Sequence, residues 1–76
     1  MKELLEVIVK NLVDNQDEVH VVEKVTEDTL TLELSVASDD MGKVIGKNGK
    51  VARAIRTVVK AGSKDTRKRV VVEILG

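Results

Sequence analysis

An α+β fold in the order α-β-β-α-α-β is what this chain of 76 residues predicts, and three observations carry that prediction. An amphipathic stripe opens the chain. One run of strict apolar alternation sits near its middle. A glycine-bearing segment, V-I-G-K-N-G-K from Val44 to Lys50, separates two helical patterns. The length allows a single domain, 1–76, close to the size at which one hydrophobic core is only marginally sufficient.

The first pattern covers 2–13, K-E-L-L-E-V-I-V-K-N-L-V. Leu5, Ile8 and Leu12 share one stripe, with Leu4 and Val9 beside it, which predicts a helix of about three turns. Asp14, Asn15, Gln16 and Asp17 end it with turn-forming residues. Val19, Val21 and Val25 then alternate with His20 and Lys24, a strand blurred by Val22 and Glu23. Thr26 to Thr29 is a hairpin connection, and Leu30, Leu32, Leu34 and Val36 give the cleanest period-two run in the chain. Ser38, Asp39 and Asp40 offer capping oxygens before a helix of one or two turns ending at Gly46. After Gly49 a second helix carries Val51, Ala54, Ile55, Val58 and Val59 inward and Arg53, Arg56 and Lys60 outward, with Gly62 as its C-terminal cap. Ser63 to Lys68 is a polar, basic connection. Val70 to Leu75 closes the chain as a strand.

Composition excludes several classes of function. There is no Phe, Tyr or Trp, so the core is aliphatic and no ring is present to stack on a base. There is no cysteine, which removes disulfides and thiolate metal sites. No apolar run approaches the ~20 residues of a membrane span, and the opening M-K-E-L-L-E is too acidic for a signal peptide. A soluble, cytoplasmic protein is expected. Formal net charge is zero, but its distribution is polarised. Residues 1–40 hold three basic and eleven acidic side chains; residues 41–76 hold ten basic and two acidic ones. The positive half is centred on the glycine loop, which favours an anionic partner there.

Gly46 and Gly49 allow close backbone approach and unusual φ values. The helix after them points its free N–H groups and positive dipole end at the gap, and Lys43, Lys47, Lys50 and Arg53 surround it with charge. That combination favours phosphate. A P-loop is excluded, because only three residues separate Gly42 from Gly46 and Lys47 is followed by Asn48 rather than Ser or Thr. A dinucleotide fingerprint is excluded as well, since Gly42, Gly46 and Gly49 have the wrong spacing and follow a helical stretch. What fits is a GXXG loop between helices, which clamps the backbone of about four nucleotides.

The stretch V-I-G-K-N-G-K-V-A-R-A-I, Val44 to Ile55, resembles the signature of KH domains, in which V-I-G-x-x-G leads into an amphipathic helix. With the α-β-β-α-α-β order it resembles the bacterial, type II arrangement. That resemblance implies a single KH domain with a three-stranded mixed sheet packed against three helices. It extends over nearly the whole chain to the small single-KH RNA-binding proteins of bacteria, the KhpA-like family, through L-x-x-I-V-x-x-L-V-D, D-x-G-K-V-I-G-K-x-G-K, A-x-A-I-R-T-V-V and K-R-V-x-V-E-I-L. Two positions depart from the pattern. Gln16 stands where the family commonly has proline, which loosens the first turn, and Ala52 stands where KH domains prefer isoleucine, which makes the groove beside the loop shallower. The resemblance implies RNA binding without catalysis or cofactor, as a homodimer or with a second KH-containing protein. It also implies RNA-chaperone behaviour and, in some bacteria, control of cell-wall growth and cell shape.

The remaining candidates are weaker. His20 is the single histidine and has no partner for catalysis or metal binding. Asp39 and Asp40 could pair for acid–base or Mg²⁺ chemistry, but their place before a helix makes capping the better account. Lys64, Arg67, Lys68 and Arg69 are either a solvated turn or an extra phosphate contact. The expectation is therefore single-stranded RNA held at Lys43, Val44, Ile45, Gly46, Lys47, Asn48, Gly49, Lys50 and Arg53. In it the loop takes the sugar–phosphate backbone, and Val44 and Ile45 support the bases. A reading from another class is a protein–protein docking module on a KH fold.

Overall fold

The computed structural model describes residues 1–63 and 67–75. Helix α1 spans Lys2–Lys10, strand β1 His20–Val25, strand β2 Thr29–Ser35, helix α2 Met41–Ile45, helix α3 Lys50–Gly62 and strand β3 Arg69–Leu75. The expected order is the observed one. Short 3₁₀ turns at Gln16–Glu18, Ser38–Asp40 and Lys47–Gly49 fill the connections.

The sheet has the order β1-β2-β3. β1 and β2 pair antiparallel, from His20↔Ser35 to Val25↔Leu30, and β2 and β3 pair parallel, from Thr29↔Arg69 to Ser35↔Leu75. This is the mixed three-stranded sheet that the KH resemblance implied. The hairpin turns where expected: Thr26 N–H donates to Thr29 O at 2.8 Å, and Thr29 N–H to Thr26 Oγ1 at 3.1 Å. A parallel pair cannot be closed by a tight turn, so β2 and β3 need a crossover. Helices α2 and α3 are that crossover, and the glycine loop lies between them.

The three helices pack on one face of the sheet. Val21, Leu32, Leu34, Val70 and Val72 meet Leu5, Val9, Val44, Ile55 and Val59 in one aliphatic core. The opposite sheet face carries alternating residues such as Lys24 and Glu33, which pair at 3.2 Å. The helix stripes are rotated from the sequence expectation. In α1 the buried pair is Leu5 and Val9, while Ile8 is half-buried and Leu4 is exposed; the helix ends at Lys10, short of the expected 2–13, so Leu12 lies beyond it and is exposed. In α3 the buried set is Ala52, Ile55 and Val59, while Ala54 and Val58 are exposed. The reason is geometric. Helices lie over a narrow sheet, so each buries one i, i+3, i+4, i+7 line and leaves its second apolar line beside a neighbour or open. Val25 is exposed because it ends edge strand β1, beyond the part where Val21 is covered.

Two capping expectations need correction. Gly62 is the last residue of α3 and Ser63 follows as its cap with φ −109°, so no left-handed glycine ends the helix. Gly62 instead lets α1 come close, since a Cβ there would stand 2.9 Å from Leu4 Cδ2. Asp40 does not cap its helix. It is 1% exposed, and its carboxylate reaches across to the end of α1 and the loop behind it, accepting from Asp14 N (3.3 Å), Asn15 N (3.0 Å) and Asn15 Nδ2 (3.0 Å). Lys43 Nζ lies 3.5 Å from the same carboxylate and also pairs with Asp14. Nor is Gln16 loosening: its Nε2 donates to Lys10 O at 3.1 Å and so satisfies a terminal carbonyl of α1.

Burial pushes the Asp40 carboxyl up. The Asn15 and Asp14 hydrogen bonds and the Lys43 charge more than offset this and hold it below the ordinary carboxylate value. A depressed native value gives a stabilisation that is complete above the unfolded value of about pH 4 and is lost as pH falls through the native one. Denaturant midpoints followed from pH 7 to pH 2 should therefore fall more steeply below pH 4 in the parent than in Asp40→Asn. Parallel acid limbs would show that this carboxylate does not tie the loop.

Candidate nucleic-acid interface

The site begins with a backbone turn. Helix α2 ends where Gly46 N–H donates to Gly42 O at 2.9 Å, and Gly46 itself adopts φ 73°, ψ 175°. Asn48 (φ 56°, ψ 27°) and Gly49 (φ 75°, ψ 14°) then take two successive left-handed conformations before α3 starts at Lys50. Asn tolerates that region better than most side chains and glycine has no penalty there, so the sequence matches its own geometry. The two glycines differ in kind. A Cβ on Gly46 would stand 2.3 Å from Val51 Cγ2 and 2.9 Å from Val51 N, so the backbones of α2 and α3 meet there. At Gly49 nothing lies within 4 Å of the same position, and the chain faces open space.

The loop is tied from one side. Arg53 Nη2 donates to Asn48 O at 3.1 Å, which fixes the turn and brings a guanidinium beside it. No side chain caps α3; the Lys50 N–H donates to Lys47 O, and the first-turn N–H groups after it have no side-chain cap. Lys47 and Lys50 are exposed and make no ion pair or side-chain hydrogen bond among the described residues. The arrangement is an uncapped helix start with two unneutralised ammonium groups and one anchored guanidinium.

Two of the expected site residues stand elsewhere. Val44 is completely buried in the core, so it cannot touch a base; it anchors α2 under the loop, and Ile45 is the aliphatic residue left exposed there. Lys43 is engaged by Asp14 and Asp40, and the Asp14 hydrogen bond, against some desolvation, raises its pKa. Its charge is balanced before any ligand arrives. Ala52 is buried on the core-facing line of α3. His20 is exposed at the start of β1, and the described residues contain no group of three or more His, Cys, Asp or Glu able to hold a metal.

Sequence reasoning did not find a groove between α3 and β3. Arg56 Nε donates to Val72 O at 3.3 Å, and Lys60, Lys68 and Arg69 line the same cleft. Lys68 Nζ also donates to Thr26 O (2.6 Å) and Glu27 O (3.1 Å), joining the β1–β2 turn to the start of β3. The readable signal was the spacing Arg53, Arg56, Lys60, an i, i+3, i+7 line on one helix flank. Lys64 of the C-terminal basic cluster lies outside the described residues.

A mixed sheet with its helices on one face, and a G-K-N-G turn joining two of them, defines a KH domain. Residues 2–74 match the family described as KhpA/KhpB, KH domain. The RNA-binding protein KhpA of Clostridium perfringens is 57% identical over 75 residues, covering 99% of this chain and 100% of that protein. The proteins of the same name from Clostridium acetobutylicum and Aquifex aeolicus are 60% and 48% identical over 75 residues, covering 99% of this chain and 100% and 95% of those proteins. This chain belongs to the KhpA/KhpB KH-domain family, a non-enzymatic one.

The contrast between the glycines gives a test. Gly49→Ala meets only a backbone penalty of about 1–2 kcal/mol. Gly46→Ala adds a collision with the Val51 backbone, which relaxes only by parting α2 from α3, and should cost about 3 kcal/mol or more. Urea unfolding of both variants measures this, and equal losses would show that the Gly46–Val51 approach does not fix the turn.

Proposed function

We propose that this protein binds single-stranded RNA at the G-K-N-G turn. The carrying observation is the open left-handed turn at Asn48 and Gly49, set before an uncapped helix and between two lysines that form no ion pair among the described residues. Phosphate oxygens would accept from the α3 N–H groups, with Lys47, Lys50 and Arg53 around them and Ile45 against a base. With no aromatic ring in the chain, single-domain binding is weak and sequence-tolerant. That behaviour suits an RNA chaperone or post-transcriptional regulator in the cytoplasm, and the relatives' name supports the RNA part of the reading.

Replacing Lys47 and Asn48 together by Asp reverses charge at the turn and keeps both glycines. Both residues are exposed and Asp is tolerated in the left-handed region, so stability should change by no more than about 1 kcal/mol. Anisotropy with a short single-stranded RNA should show at least a tenfold loss, equivalent to ~1.4 kcal/mol. The parent's log K should fall with log[salt] at a slope of about −2 to −3, for three or four phosphates at ~0.7 each. Unchanged binding by the folded variant would move the docking-module reading ahead.

The same reading includes a partner, a second copy or another KH-containing chain. Its support is the second apolar line on the helices. Leu4 and Val7 on α1 and Val58 on α3 are 36%, 58% and 47% exposed, and α1 approaches α3 where Gly62 meets Leu4. This flank of α3 is opposite Arg53, Arg56 and Lys60, so a partner there leaves the RNA side open. Val58→Asp should leave monomer stability within about 0.5 kcal/mol and lower the mass seen by sedimentation equilibrium at high micromolar concentration. A parent that is already monomeric there would count against the dimer.

A further inference from the structure

We infer that Asp14 limits RNA affinity by occupying the Lys43 ammonium, and that loss of the Asp14 charge turns Lys43 into a further phosphate contact beside the loop; this rests on the RNA reading above. Of the three lysines in K-V-I-G-K-N-G-K, only Lys43 carries acidic partners among the described residues. Its Nζ pairs with the Asp14 carboxylate and lies 3.5 Å from Asp40 Oδ1. Two carboxylates face one ammonium, so this corner of α2 is negative in sum. Arg53, by contrast, is anchored on the Asn48 carbonyl, a neutral dipole that leaves its charge in place.

The two carboxylates hold Lys43 with different firmness. Asp40 is 1% exposed and accepts from Asp14 N, Asn15 N and Asn15 Nδ2, so it is fixed. The Asp14 side chain is 81% exposed and bonds to nothing but Lys43 among the described residues. An ion pair this open to water contributes little and exchanges readily for another anion. Yet Asp14 cannot drift away, because its backbone N–H donates to Asp40 Oδ1 at 3.3 Å. Asp14 is thus a weak partner tethered in place, and a phosphate has to displace it. Lys43 is positioned for that exchange. It stands one turn before Gly46 on α2, a rise of about 4.5 Å. An ammonium has three donors on a flexible stem, so Lys43 can keep Asp40 and take a phosphate oxygen in place of Asp14. Asp17 and Glu18 extend the acidic surface around Asp14, and neither forms an ion pair among the described residues. They release no cation when neutralised, which separates their effect from that of Asp14.

The test uses Asp14→Asn, which removes the charge and keeps the backbone donor to Asp40. A circular-dichroism melt checks the fold, and Asp14→Ser replaces it if the amide disturbs the turn. Anisotropy with a short single-stranded RNA over a range of salt should show binding at least about threefold tighter than the parent's. The slope of log K against log[salt] should steepen by about 0.7, the share of one added phosphate. Lys43→Ala should cost at least about threefold more affinity in the Asp14→Asn background than in the parent, and should abolish the added slope. Asp17→Asn should leave the slope unchanged. Equal gains and slopes from Asp14→Asn and Asp17→Asn would overturn the inference, since only summed charge would then matter. An Asp14→Asn variant that binds no tighter than the parent would overturn it as well; weaker binding would mean that Asp14 steadies Lys43 for the RNA instead of withholding it. Failure of the loop reading shows separately, as a Lys47→Asp/Asn48→Asp variant that binds the same RNA as well as the parent does.

Discussion

Gly46 touching Val51 is the contact on which the rest depends. Because no Cβ separates them, α2 can stop, reverse and hand over to α3 within four residues. That reversal lets a five-residue helix and a thirteen-residue helix share the crossover between parallel strands. It also leaves α3 starting at the surface, without a side-chain cap and with lysines on either side. A side chain at that point would part the helices and remove the site together with the packing. The packing of the helices and the shape of the turn therefore share one backbone contact, and Val44, buried beneath it, stabilises both.

Helix α3 divides its surface three ways. Ala52, Ile55 and Val59 face the sheet; Arg53, Arg56 and Lys60 form a cationic flank toward β3; Ala54 and Val58 form an apolar flank on the other side. One helix thus gives the core, the anion-attracting surface and an exposed apolar edge. The zero net charge of the chain conceals this separation. Acidic residues of the first half spend part of their charge on internal ties, as Asp14 and Asp40 do with Lys43, while the cations of α3 have no such partners among the described residues.

The order of elements was legible because each one carries its own period: alternation in Leu30 to Val36, the loop between two helical patterns, and β-branched residues at 70–72. The glycine loop was legible because its residue types match conformations few others adopt. Less legible was which of two apolar lines each helix buries. Leu4 and Val58 look as apolar as Leu5 and Val59, and only the width of the sheet decides between them. Asp40 was assigned to the helix beside it because capping is local, whereas its partners lie some twenty-five residues earlier in the chain. Lys43 was assigned a free charge for the same reason. The α3–β3 groove depends on two elements that meet only in three dimensions, so only its helix half was visible in the spacing.

The parallel pairing of β2 with β3 sets an order of assembly during synthesis. Thr29 waits for Arg69 and Ser35 for Leu75, roughly forty residues later, so the sheet cannot close until β3 has emerged from the ribosome. Before that, β1 and β2 can form a hairpin, and α2 and α3 lack the cover that Val70 and Val72 give them. Val70 and Val72 then seat α3 through Ile55 and Val59, and the same step builds the groove wall. A nascent chain without β3 therefore has neither a closed sheet nor the strand wall of the groove. Sheet, core and groove wall are completed in one step, when β3 pairs with β2.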